Sequence, residues 1–553
     1  MTLARQILLG LVAAVGVCAV AVGASAGTFT VAPLTLASGP SPFAGCTAGT
    51  APGSVLYPNA EEEPWVDVNP KNPNNLIAVW QQDRWSDGGA HGLVTAVTHN
   101  GGASWSFTFP HFSICAGGTA ANGGAYERAS DPWVSFGPDG IAYQVSLSFN
   151  AADAVSAVLA SRSTDGGNTW DEPVTIIRDS GDRDVAYAFN DKESVTADAT
   201  QPRYAYAVWD RFVTPGGTSR ASMEGLINSR AFREPVWFSR TTDGGLTWEP
   251  ARNIYDRSAF NGTIGNQILV GRNGDLLNFF DEFFIHKNSD QMRGESMSVI
   301  RSTDKGVTWS KQSTVIAPSR EIGAFDPDTL RRIRAEGGLP EVAIDRPSGA
   351  LYVVWQDSSF SGVDEIAFSM STDNGLTWSL PIKINQTPRS STAGNQQAFV
   401  AGVHAAADGT VAVIYYDFRN NDPSPGAPTD YWIAHCHSAC SSPASWSNES
   451  RLTSASFDIE QAPAARGPFG YFLGEYEGLT SIGNRFVPVF VTVNNGNPNE
   501  PHRRVRHHSW LIAALRGPAS AGPSAATAQT ALRQFAVKRS VTGTRCRALD
   551  RCG

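Results

Sequence analysis

The sequence predicts an all-β chain assembled from repeated four-stranded units. Three observations carry that expectation. Octapeptides of one pattern recur, STDGGNTW at 163–170, TTDGGLTW at 241–248, STDKGVTW at 302–309 and STDNGLTW at 371–378. A fifth copy, THNGGASW at 98–105, has Asn100 where the others have Asp. Hairpin signals begin at Pro64, Pro132, Glu193, Gln267, Glu341, Phe399 and Glu477, at intervals of 58 to 78 residues. Finally, 53 glycines, 33 prolines and 15 tryptophans in 553 residues suit short strands joined by tight turns. A fixed motif at such a period marks a repeat architecture.

In chain order, residues 1–26 come first. Arg5, an apolar run from Ile7 to Val22 and Ala24-Ser25-Ala26 read as a signal peptide. The run is short for a spanning helix, and no later stretch is apolar enough to cross a bilayer. Residues 28–36, TFTVAPLTL, are β-rich. The hairpins follow, for example PWVDVNPKNPNNLIAVWQQDR at 64–84 and EVAIDRPSGALYVVWQDS at 341–358. Each has a Gly, Pro, Asn or Asp turn between two β-rich runs. Each octapeptide then lies between two further strand-like runs. Its Asp accepts bonds from backbone amides a few residues on, its Gly supplies a positive φ, and its Trp anchors the turn. It lacks the alternating ligands and distal Glu of a calcium-binding EF-hand. The structural turn residues are therefore Asp165, Asp243, Asp304 and Asp373. Four short strands fit each interval, and a four-stranded blade is the unit of a β-propeller. Seven blades are expected over 27–516, with six as the alternative should one weak unit be an insertion; the sixth unit offers only SWSN at 445–448 and the seventh has no octapeptide. A closed ring needs a fourth strand for the last unit, and 28–36 is the expected source. Residues 517–553 form an Ala/Ser-rich basic tail of disordered character.

The octapeptide resembles the Asp-box (BNR repeat) of sialidases and related β-propellers, over about residues 60–510. That resemblance implies an exported sialidase-like glycoside hydrolase acting on extracellular glycans. Non-catalytic propellers carry the motif too, so a glycan- or protein-binding propeller is the alternative. Sialidases use a Tyr nucleophile activated by Glu, an Asp acid/base and three arginines for the substrate carboxylate. Carried over residue by residue, Asp87 in RWSDGG is the acid/base and Tyr476 in GEYEGL the nucleophile. Glu341 is its activator, and Arg84, Arg211 and Arg419 contact substrate. The family's Arg before Pro is Glu62 here, a charge reversal, and the strand that should supply the second Arg ends Phe280-Asp281-Glu282. Sialic acid itself is therefore the weakest part of the inference.

The residue pattern also locates the site. The octapeptides and the turns between first and second strands share one face. The opposite face receives Glu63, Asp131, Glu193, Glu341, Glu475 and Glu477 from the starts of first strands. It receives Asp83, Arg84, Asp210, Arg211, Asp281, Glu282, Asp357, Asp417 and Arg419 from the ends of second strands. Such a ring reads either as ion pairs tying neighbouring units together or as a polar sugar or cation site over the axis. No cofactor is implied, beyond a structural Ca2+ near the channel. Net charge is −9 overall and −15 over 27–516, which disfavours nucleic acid. The expected partner is a carbohydrate or glycoconjugate, met by a monomer. Removing the leader leaves Cys46, Cys115, Cys436, Cys440, Cys546 and Cys552, an even count that suggests disulfides in an exported chain. Local pairs are the simplest pairing. HCHSAC at 435–440 offers a metal tetrad as the alternative.

Overall fold

The second strand of the first unit, Leu76–Trp85, is buried at every one of its positions. A strand buried on both faces needs an apolar layer on each side, and this molecule supplies it by stacking sheets around an axis. A computed structural model describes residues 30–512 apart from 33, 152, 154, 180–185, 216–231, 286–291, 336–337, 391, 466–469 and 494–506. The expected leader, the tail, Cys546 and Cys552 lie outside the described residues.

In the first unit Leu56–Val68, Leu76–Trp85, Ala90–Thr98 and Ser106–Thr108 pair antiparallel in that order. The pattern repeats with innermost strands Arg128–Phe136, Ala186–Ala197, Asn261–Val270, Glu341–Ile344 and Ala398–Ala405. A seventh unit begins with Gly478–Ile482 and adds Arg485–Val493 and His507–Ile512. Its fourth strand comes from the other terminus, where Leu34–Leu36 pairs with His507–Ile512 through Leu34 opposite Ile512. Each innermost strand packs on the next, and Gly478–Ile482 returns to Leu56–Val68. The architecture is all-β and β-propeller-like, and its only helical segments among the described residues are four 3-10 turns.

The core lies between neighbouring sheets. Trp133, Tyr143 and Val145 of the second unit meet Ala207 and Trp209 of the third. Leu277 and Phe279 of the fourth meet Val353 and Trp355 of the fifth. Large aromatics fit because each fills the gap between two twisted sheets. Truncating one such Trp to Ala costs about 3–5 kcal/mol.

The octapeptides connect third to fourth strands, and all four are built alike. Ser163, Thr241, Ser302 and Ser371 accept the amide of the Gly four residues on at 2.8–2.9 Å. The Asp accepts the Thr amide at 2.8–3.0 Å and the Thr hydroxyl at 2.5–2.7 Å. Asn100 copies the arrangement by accepting the Ser104 amide at 3.0 Å. The Trp rings pack on the intersheet clusters.

These turns also join units. The carbonyl just after each Asp accepts a side chain from the preceding unit. Asn75 reaches Gly166 at 3.0 Å, Arg162 reaches Gly244 at 3.0 Å, Arg240 reaches Lys305 at 2.6 Å, and Arg301 reaches Asn374. The three arginines each stand immediately before an octapeptide, so one turn leads to the next around the ring. Met370 holds that place before the last octapeptide, and the sixth unit has no octapeptide to receive a donor.

Two disulfides are present. Cys436–Cys440 is local, so HCHSAC is a cross-link and not a metal tetrad. Cys46–Cys115 spans 69 residues, against the expectation of local pairs. It ties the segment leading into the first unit to the loop that leaves it, both of which pack on that unit's sheet.

Candidate functional site

Five of the innermost strands interrupt their ladders with a bulge. Bulges fall between Glu62 and Trp65, Ser130 and Trp133, Asp191 and Ser194, Ile264 and Gln267, and Phe399 and Gly402. Pro64 and Pro132 stand in the first two, because proline has no N–H for the ladder. The residue at each bulge has positive φ: Glu63 54°, Asp131 52°, Lys192 53°, Gly265 72° and Val400 51°. Non-glycine residues there cost about 1–3 kcal/mol each, a strain that clusters at functional sites. Three of these bulges bring Glu63, Asp131 and Lys192 together.

At the axis the central cation is Lys192. Its ammonium contacts Glu475, and lies 3.4 Å from Glu63 and 3.5 Å from Asp131. The Tyr476 ring lies beneath it at 4.9 Å. Burial alone would pull this amine down, but Glu475, Glu63 and Asp131 reverse the effect and hold it charged. Arg334 donates to Glu475 at 2.7 Å. Burial pushes Glu475 up, yet Arg334 and Lys192 outweigh it and hold the carboxyl at about 2. The other carboxyls are pushed up, first of all by burial. Glu63 reaches about 7 despite Lys192, and Asp191 reaches about 8 with Asp131 adding to the effect. Glu341 reaches about 8, offset in part by its bond from Gln267 at 2.9 Å. Glu62, Glu193 and Glu477 also rise well above the ordinary carboxyl range.

A cavity of about 20 Å³ opens here, bounded by Asp131, Trp133, Lys192, Glu193, Glu341 and Tyr476 among others. At 10–15 Å³ per water, that is room for about one water and not for a sugar ring. Glu193 is 2% exposed, with the backbone amides of Glu193 and Leu147 at its carboxyl. Among the described residues, no group of three or more His, Cys, Asp or Glu side chains is arranged to hold a metal ion. The ammonium of Lys192 stands where a channel Ca2+ was considered.

Of the expected catalytic residues, Tyr476 and Glu341 share this cavity, and Asp87 does not line it. Tyr476 is 3% exposed and packs against Trp65 and Trp133, which stack on each other. Its hydroxyl contacts the Pro132 carbonyl at 3.4 Å, and burial, then Glu63, push it well above the ordinary phenol range. Glu341 is bonded to Gln267, not to Tyr476. Asp87 lies in the turn after the second strand of the first unit, 2.9 Å from Arg128. The three arginines are not grouped. Arg84 lies 3.6 Å from Glu62 and stacks on Phe472. Arg211 pairs with Asp179 of the second unit and stacks on Trp237. Arg419 pairs with Asp417 and Glu449 and stacks on Trp432. Each therefore meets a carboxylate of this chain, and Arg211 ties two units together.

Sequence reasoning missed Lys192, Arg334 and the Trp65–Trp133 stack. Placing EEEPW, ASDPW and NDKES in register would have set Lys192 in the column of Glu63 and Asp131. Arg334 carries no such signal. It reaches the axis through Ile333–Arg334, which pairs with Gly470–Phe472 from far along the chain.

No known family matches the chain, and no curated protein matches it. Similar solved structures include the Hadza microbial sialidase Hz136, at 16% identity over 80% of this chain and 73% of that one, with a TM-score of 0.43. A mutant NanB sialidase from Streptococcus pneumoniae shares 14% over 88% and 71%, with a TM-score of 0.41. The GH93 alpha-L-arabinofuranosidase of Fusarium graminearum shares 12% over 70% and 93%, with a TM-score of 0.36. Likenesses this distant assign no activity.

Proposed function

We propose that the chain is an exported, seven-bladed β-propeller that binds a carbohydrate or glycoconjugate on the face opposite the octapeptides and does not hydrolyse it through Tyr476. One observation carries the non-catalytic part: the Tyr476 hydroxyl is sealed under tryptophans with a backbone carbonyl as its neighbour. A nucleophile needs a base within hydrogen-bond reach, and neither Glu341 nor Asp87 contacts it. The paired arginines add support, since a substrate carboxylate would have to displace Glu62, Asp179 or Glu449. The carbohydrate part rests on the likeness of the octapeptides to Asp-boxes. Export is supported by the two disulfides, which persist in oxidising compartments. Seven blades are supported by the four-stranded units and their ring of innermost strands. No helix of the described residues is long and apolar enough to cross a membrane.

The test pairs immobilised glycans with chromogenic glycosides, a sialoside and an arabinofuranoside included. Retention on glycans without released sugar is the expected result. Released sugar that disappears in Tyr476→Phe or Asp87→Ala would replace this reading with a retaining glycosidase.

A further inference from the structure

The strand that closes the ring is short. Leu34–Leu36 offers three residues to the last sheet, opposite Trp510, Leu511 and Ile512. Leu36 remains 42% exposed, so its docking buries little apolar surface. A strand of that length sits at the low-stability end of a fold and opens readily unless something holds its neighbours. Residues 37–55 follow it, with turns and no regular strand, and lead to the first unit. They are anchored at four places. Phe43 is buried against the first unit and meets Phe109 edge-on at 5.1 Å. The Ser41 hydroxyl donates to Asp83 at 2.6 Å, and Arg128 donates to the Gly49 carbonyl at 2.9 Å. The fourth anchor is covalent: Cys46, ten residues after Leu36, is bonded to Cys115. That bond shortens the free tether and keeps the closing strand at high local concentration beside its partner.

The two disulfides differ in access. Cys436 and Cys440 are 0% and 6% exposed, whereas Cys46 and Cys115 are both half-buried. Thiol exchange needs a thiolate to reach a sulfur, so the half-buried pair reacts first.

We infer that Cys46–Cys115 is a redox lock on ring closure. Oxidised, it holds Leu34–Leu36 in the last sheet; reduced, it releases them, so the ring is fastened only in an oxidising compartment. The inference goes beyond the glycan reading and does not depend on it. A dithiol opens the lock in two steps. One thiolate attacks a sulfur of the pair, the S–S bond breaks, and the other cysteine leaves as a thiolate. The reagent's second thiolate then displaces the first cysteine, and the reagent departs as a cyclic disulfide. Two electrons and two protons pass to Cys46 and Cys115.

The experiment is hydrogen exchange with peptide mapping on the full chain, before and after native treatment with dithiothreitol, with iodoacetamide marking free thiols. Cys46 and Cys115 should be alkylated before Cys436 and Cys440. Protection of residues 34–36 should then fall by at least about tenfold, as expected when a long-loop cross-link is lost, while Ala398–Ala405 keeps its protection. Glutathione disulfide should restore the original pattern. Cys46→Ser combined with Cys115→Ser should reproduce the loss without reductant, and Cys436→Ser combined with Cys440→Ser should not. If the first double variant fails to fold, the reductant titration of the native chain decides. Residues 34–36 that stay protected after Cys46 and Cys115 are reduced overturn the lock. Loss of protection in all sheets together also overturns it and makes the bond a general cross-link. Earlier alkylation of Cys436 and Cys440 overturns the selectivity on which the lock depends.

Discussion

Glu341 and Glu475 are both buried at the axis, yet they are driven in opposite directions. Glu475 has two cations in contact, so its folded form stays ionised down to about pH 2. Glu341 has an amide, so burial wins and it holds its proton up to about pH 8. Linkage fixes the signs. A raised carboxyl such as Glu341 contributes stability that is fully present below its unfolded pKa, near 4.3, and is lost as pH rises through 8. The lowered Glu475 contributes stability present above that unfolded value and lost as pH falls through 2. Glu63 and Asp191 fall on the side of Glu341, at about 7 and 8. The melting temperature should therefore decline from pH 5 to pH 8.5, and Glu341→Gln should flatten part of that decline. A profile that rises across this window would show that these carboxyls are ionised in the fold.

Within the octapeptide element the recurring Asp is expected to matter less to stability than the Ser or Thr that opens it. Its partners, the Thr308 amide and hydroxyl in the third copy, are exposed, and water replaces it when it is removed. The buried amide is that of Gly306, and its acceptor is the Ser302 hydroxyl at 2.8 Å. Ser302 is 2% exposed. Ser302→Ala strands a buried donor and should lower unfolding free energy by about 1–3 kcal/mol. Asp304→Ala should cost less, about 0.5–1 kcal/mol, as for other exposed turn bonds. Urea denaturation of the two variants measures the order. Glycan retention should be untouched in both, since the octapeptides lie on the face away from the axis cavity. A larger loss for Asp304→Ala would mean that the turn is held from its outer side.

For the whole molecule the decisive feature is closure. The last sheet takes its outer strand, Leu34–Leu36, from the N-terminal side, so the two ends of the chain lock the ring. An unclosed ring leaves unpaired strand edges that recruit other chains. Deleting residues 28–36 should convert a monomer on size-exclusion chromatography into aggregates with no sharp melting transition. Deleting 520–553 should leave the transition within about 2 °C, because a change of 1 kcal/mol moves the melting point of a large domain by only about 2–4 °C. The opposite pattern would make the tail the latch.

What was legible in the sequence is what local chemistry dictates. Ser/Thr, Asp and Gly at fixed spacing close a turn on themselves, so the octapeptides could be read without a fold. Alternation and turn residues gave the hairpins, and a period of 58 to 78 residues gave the repeat. The excess of acid at first-strand starts was also visible. The tertiary structure alone decided which of those acids meet a cation. Glu63, Asp131 and Lys192 come from the first, second and third units, Glu475 from the segment leading into the seventh, and Arg334 arrives on an inserted strand. Whether a Tyr is a nucleophile or a buried wall depends on the same distant neighbours. Side-chain identity sets what a residue can do, whereas burial and partners set its charge and access, and in a closed ring those are supplied by segments hundreds of residues apart.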